Sequence, residues 1–296
     1  MFSQNIKSVQ AYSWFGGTRV LVLTENNNSS YYTSDEGWKP LPVAELPVGK
    51  IKFLDVYHTM DGSKLVVVMD DNTIWKYVHD EWSQLTSQGL PENFSIKEFK
   101  PFSKVKMYSA ELQIALLLED NTLWLYSEEN EWESLSKSGI PESTRITKLA
   151  TYQKMKGMMK VVSTFLVSLD DNSMMSYDLK KEKWNDFGGE QLPKAATVTS
   201  LHSYLKYNLM GSPEGRIIAS LSDQSIWWCT ENERYWQKLD KSGLPENANI
   251  KSIKVYMKVL SARVIVLLDD NSIWWYADGE GFSKVDMTGF SDSLKE

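Results

Sequence analysis

Six positions share one place in a repeating pattern, and four of them are basic: Arg19, Lys64, Gln113, Thr164, Arg216 and Arg263. A guanidinium presents five N–H donors in a planar fork and an ammonium presents three, so such groups can hold the hydroxyls or anionic oxygens of a ligand. Two tryptophans, Trp228 and Trp275, fill a second place in the same pattern, held elsewhere by Ser30 or its neighbour and by Lys76, Leu125 and Ser176. An indole offers a broad apolar face on which a sugar ring can lie. Trp14 and Tyr31 are further aromatics that stand outside the repeat. A cation beside a flat aromatic suits reversible binding of a hydroxylated or anionic ligand. The plainer alternative is a solvated strand end, where Arg and Lys are common.

A second cluster is rich in Lys and Met: Lys154, Lys156, Met158, Met159 and Lys160, with Tyr207 in the next copy. Methionine adapts to irregular contact surfaces, and lysine attracts an acidic partner over distance. These residues define a candidate protein-binding surface, the alternative being a tolerated loop insertion. Catalytic chemistry finds little support. His58, His79 and His202 have no recurring partner, and no nucleophile elbow, phosphate-cradling glycine loop or zinc spacing is present. Cys229 reads as a small buried apolar residue. The Asp-Asp pairs of the repeat sit on separate turns, whereas a calcium loop needs several oxygens converging on one point. No catalytic residue, metal ligand or cofactor is expected.

The elements that position these groups follow from the repeat. Leu267-Leu268-Asp269-Asp270-Asn271-Ser272-Ile273-Trp274-Trp275-Tyr276 returns, altered, throughout the chain. Asn27, Asn72, Asn121, Asn172, Gln224 and Asn271 mark one position, spaced 45, 49, 51, 52 and 47 residues apart. A period of this size signals a propeller or solenoid. In the last copy, Ile250–Tyr256 alternates apolar and polar residues, as a half-buried strand does. Arg263–Leu268 is a continuous apolar run, suited to a strand covered on both faces. Asp270-Asn271 then predicts a two-residue hairpin turn, Ser272–Ala277 a third strand and Gly281–Val285 a fourth.

These strands are termed A, B, C and D. Strand D carries its own marker, an aromatic followed three residues on by an apolar residue, from Trp38/Leu41 to Phe282/Val285. Six such units predict a single-domain, all-β, six-bladed β-propeller with four antiparallel strands per blade. The blades fall at about 1–46, 47–91, 92–141, 142–193, 194–245 and 246–296. The basic residues then start strand B, and Trp228 and Trp275 lie on strand C. Tryptophans repeated in nearly every blade read as packing between blades. The B–C turns and D–A connections share one acidic end of the blades. The A–B hairpins, enlarged in blades three to five and rich in Lys and Met, lie at the other, so a charge asymmetry is expected.

Composition narrows the partners. The chain has 296 residues and a formal charge of −7, which disfavours coating nucleic acid or an anionic membrane. No apolar run approaches the roughly 20 residues that span a bilayer. One cysteine and an N-terminus without the pattern of a signal peptide fit a soluble, cytoplasmic protein.

The unit Ile-Lys-x-Ile, Val-x-Leu-Asp-Asp-Asn-Ser-Ile-Trp-x-Tyr, Trp-x-x-Leu resembles the repeats of tectonin and tachylectin-type propellers, which are commonly lectins or scaffolds. The pattern is also similar to six-bladed fungal fucose lectins. That resemblance implies sugar binding between blades through an Arg on strand B, a Glu on strand C and an aromatic. Arg19, Arg216 and Arg263 match the Arg, whereas the Glu place holds Lys76, Leu125, Ser176, Trp228 and Trp275. The expected function is therefore non-catalytic: a lectin-like protein recognising glycans through Arg19, Lys64, Arg216, Arg263, Trp228 and Trp275. The alternative is a scaffold that binds protein through the hairpins of blades three to five.

Overall fold

The computed structural model describes residues 5–14, 17–41, 49–59, 62–105, 110–156, 160–178, 181–206, 214–258 and 261–294. Its strands form six four-stranded antiparallel sheets, each in the order A-B-C-D along the chain. The fold is a six-bladed β-propeller. The first blade is Ile6–Trp14, Gly17–Thr24, Ser29–Thr33 and Gly37–Pro40. The last is Ile250–Lys258, Ser261–Leu268, Ile273–Ala277 and Gly281–Lys284, so no strand is exchanged between the ends of the chain.

Two compact units are present, one holding blades one, two and six and the other blades three, four and five. In the first, strand A of blade one lies beside the A strands of blades six and two; in the second, strand A of blade four lies beside those of three and five. The B strands are buried almost throughout, as their unbroken apolar runs require.

The B–C turn differs in one detail from the sequence expectation. Leu268 N–H donates to the Ser272 carbonyl and Asn271 N–H to the Leu268 carbonyl, both at 3.0 Å. The loop is therefore three residues long, Asp269-Asp270-Asn271. A two-residue turn of the favoured kind needs positive φ at both central positions. Here only Asn271 has it, at 63°, as Asn27, Asn72, Asn121, Asn172 and Gln224 do at 65–67° in their own turns. Tolerance of this left-handed geometry selects the asparagine.

The same asparagine joins blades. Asn271 Oδ1 accepts the Ile6 N–H at 3.0 Å, Asn27 Oδ1 that of Ile51 at 3.2 Å, and Asn121 Oδ1 that of Ile146 at 2.9 Å. Each acceptor thus pairs the first backbone donor of the next strand A. The aspartate before it organises the turn. Asp270 Oδ1 accepts from the Ser272 N–H and hydroxyl, and that hydroxyl accepts the Trp274 indole N–H at 3.0 Å. Asp71–Thr73–Trp75, Asp120–Thr122–Trp124 and Asp223–Ser225–Trp227 repeat the relay. The recurrent strand-C tryptophans are thereby fixed as scaffold.

Two residues beyond that tryptophan, a tyrosine packs on the strand-D aromatic. Ring centroids are 5.3 Å apart in Tyr32/Trp38, 5.0 Å in Tyr77/Trp82, 5.1 Å in Tyr126/Trp132, and 5.0 Å in Tyr177/Trp184 and Tyr276/Phe282. Blade five breaks the series by setting Cys229 against buried Trp236. Between blades three and four, Gly139 has φ +97°, and an added Cβ would lie 2.2 Å from the Trp184 carbonyl oxygen. Close approach, as well as the bend, requires the glycine there.

Candidate functional site

Blade five brings a cation, an indole and a carboxylate together. Its strands are Val198–Lys206, Glu214–Leu221, Ile226–Thr230 and Gln237–Lys238. Ile218 lies opposite Trp228 and Arg216 opposite Thr230, so Arg216 and Trp228 are diagonal neighbours on one sheet face. The Arg216 guanidinium stands over the Trp228 ring, 4.5 Å from its centroid. Glu214, two residues earlier on the same strand and therefore on the same face, accepts from Arg216 Nε at 3.1 Å. The Arg216 side chain is only 12% exposed, against 31% for Glu214. The opposite face of this sheet, with Ile217, Ala219, Cys229 and Trp236, is buried against Ala150, Leu166 and Phe187 of blade four.

Such a cluster can present planar donors, a carboxylate acceptor and an indole to one ligand. A cation over an indole contributes about 0.5–2 kcal/mol, more as water is excluded, which fixes the guanidinium before any ligand arrives. Sequence reasoning missed Glu214. The resemblance places a carboxylate on strand C; here one comes from strand B, and the alternation of one strand face, Glu214 then Arg216, was the available signal.

The remaining predicted residues have different fates. Trp275 lies opposite Ile265 and Ser283 and packs into the joint with blade one, its ring 6.5 Å from Tyr32. There Trp38 donates its indole N–H to the Asp286 carbonyl at 2.7 Å and meets the Phe290 ring edge-on at 4.6 Å. Burial, with the nearby Asp286 charge, raises the Tyr32 pKa. Trp275 therefore serves partly as packing. Tyr31 is not outside the repeat. Leu21 pairs with it as Val66 pairs with Lys76, so Tyr31 is blade one's counterpart of Trp228, and it is buried.

Lys64 lies opposite Tyr57, Arg19 opposite Tyr12 and Arg263 opposite Ala277, each in the register of Arg216; the side chains of Arg19 and Arg263 lie outside the described residues. In blade three the place of Trp228 is taken by Leu125, packed against the core shared with blade four. In blade four the place of Arg216 is taken by Thr164, buried and donating to the Tyr177 carbonyl.

The hairpin candidates are less well placed. Lys154 pairs with Val162 and Lys156 with Lys160 along the backbone, but their side chains, and Met158, Met159 and Tyr207 altogether, lie outside the described residues. Cys229 is buried, and desolvation pushes its thiol up to about 12 despite nearby Arg234, so it is no nucleophile at neutral pH. Among the described residues, no group of three or more His, Cys, Asp or Glu is arranged to hold a metal ion. No helix among them is long and apolar enough to cross a membrane.

No protein-family model matches the sequence, and no curated protein does. Solved structures do. A fucose-specific lectin from Aleuria aurantia is 14% identical, with a TM-score of 0.60 over 96% of this chain and 95% of that one. SapL1 lectin, solved with α-methyl fucoside, is 13% identical, with a TM-score of 0.61 over 95% of each chain. AofleA from Arthrobotrys oligospora is 10% identical, with a TM-score of 0.62 over 95% of this chain and 86% of that one. At such identities the likeness defines the fold, that of the fungal lectin propellers, and the residues must carry the function. The tectonin and tachylectin resemblance stays an expectation of the sequence.

Proposed function

We propose that this chain is a non-catalytic glycan-binding protein whose principal site is the Arg216–Glu214–Trp228 face of blade five. The observation that carries the reading is the guanidinium held over an indole by a carboxylate on the same strand. Such a group offers hydrogen bonds to sugar hydroxyls, and the part of the half-buried indole that the guanidinium leaves uncovered offers an apolar surface to the sugar. Blade six repeats Arg263 and Trp275 in the same register and is the second candidate; Arg19 and Lys64 mark weaker ones. The copies in blades three and four are filled by Leu125 and Thr164, so binding sites are fewer than blades. Fucosides are the first ligands to try, given the lectins that share the fold.

The test is a glycan array followed by calorimetry on the strongest glycan. Loss of a charge-assisted hydrogen bond is worth about 1.5–3 kcal/mol, so Arg216→Ala should weaken binding by about ten-fold or more. Arg216→Lys should restore it only in part, because an ammonium lacks the planar fork. Wild-type affinity in Arg216→Ala, with the fold intact, would sink the assignment.

A further inference from the structure

Blade five is irregular at its outer edge. Strand D there is only Gln237–Lys238, whereas blades one, two, three and six have four-residue D strands and blade four has six. The chain enters it through a tight turn in which Arg234, at φ 52°, donates its N–H to the Thr230 carbonyl at 2.9 Å. Arg234 then lies over the Phe187 ring of blade four at 4.9 Å and donates to the Asp186 carbonyl at 3.2 Å. Trp236 is buried in the core shared with that blade. Residues 234 and 236 thus both turn to the blade-four side. Tyr235 stands between them and is 58% exposed, the one large apolar side chain so exposed among the described residues. At the same point before the strand-D aromatic, the other blades carry Gly37, Glu81, Glu131, Lys183 and Gly281.

Tyr235 precedes strand D, but its neighbour Trp236 is buried on the blade-four side and Gln237, two residues on, lies directly opposite Trp228, so continuing that alternation back by two residues points Tyr235 to the face of Arg216 and Trp228. A diagonal neighbour across two strands is about 7–8 Å away, within reach of an aromatic side chain. Gln237, exposed and directly opposite Trp228, adds an amide donor and acceptor. An indole and a phenol at that diagonal separation, with the amide at the corner between them in sequence register, cover more than one pyranose ring.

Resting on the glycan reading of this same site, we infer that Tyr235 is a second stacking platform, so that blade five selects a linked disaccharide or longer glycan over a single sugar. The first ring is held by Arg216 and Glu214 against the edge of Trp228 that the guanidinium leaves uncovered, and the next lies on Tyr235 with Gln237 beside it. The experiment prints methyl monosaccharides beside the di- and trisaccharides that contain them, and compares wild type, Tyr235→Ala, Tyr235→Phe and Arg216→Ala.

The expected result is a five-fold or greater wild-type preference for the longer glycan. Tyr235→Ala should level that preference while leaving monosaccharide binding unchanged, and Tyr235→Phe should keep it. Arg216→Ala should lose both. Equal wild-type binding of short and long glycans, or a preference that survives Tyr235→Ala, overturns the inference while leaving the glycan reading standing. A blank array for wild type overturns both.

Discussion

Replacing Asn271 tests how the two ends of the chain are held together. The side chain does two jobs: it accepts the Ile6 N–H at 3.0 Å, and it adopts φ 63° at low cost. Ile6 is fully buried, so its N–H has no water to turn to when the acceptor is removed. Leaving a buried donor unpaired costs about 1–3 kcal/mol. Forcing alanine into the left-handed region costs about 1 kcal/mol more than asparagine or glycine. Asn271→Ala should therefore destabilise by about 2–4 kcal/mol, and Asn271→Gly by about 1–3 kcal/mol. Asn271→Asp keeps both the acceptor and the backbone preference and should come close to wild type. Urea titration followed by tryptophan fluorescence reads the shift in midpoint at constant slope. Equal losses in the alanine and glycine variants would refute the backbone part of the reasoning. Losses under about 0.5 kcal/mol in both would refute the joint itself, since that is the scatter of surface substitutions.

Two further outcomes are expected. Gly139→Ala puts a Cβ against the Trp184 carbonyl at a φ that disfavours it, and should cost about 2–4 kcal/mol in the same titration. The turn aspartates Asp71, Asp120, Asp171, Asp223 and Asp270 all have their pKa lowered, in most of them chiefly by the hydrogen bonds of the Thr or Ser two residues on, with burial opposing. A folded pKa below the unfolded one gives stability that is present above the unfolded value of 3.8 and is lost as pH falls through the folded one. Melting temperature should thus drop steeply below about pH 4, and Asp270→Asn, which cannot titrate, should show a shallower drop; identical slopes would contradict the relay.

The fold was readable because each of its joints is written six times. The turn amide, asparagine in five copies and Gln224 in blade five, and the strand-D aromatic keep phase through every copy, and together with the four-strand pattern they imply blades. The three-residue form of the turn was not readable, because Asp-Asp-Asn allows either length until the hydrogen bonds of Leu268 are known. Tyr31 seemed unpaired with the repeat because the first copy is the most worn, and only the pairing with Leu21 shows its place. Arg216 and Trp228 were legible as departures from a pattern. Glu214 and Tyr235 were not, since their places hold differing residues from copy to copy, and their meaning lies in which face of a sheet they share.

The relay from carboxylate to hydroxyl to indole leaves one strand-C place untouched. In that place stand Tyr31, Lys76, Leu125, Ser176, Trp228 and Trp275, while the residues on either side are tied into turns and joints. A mutation there breaks no relay, though at Tyr31, Leu125 and Trp275 it would also touch the packing. Each blade can therefore present a different side chain at this place while the relay that fixes its turn and its tryptophan is unchanged.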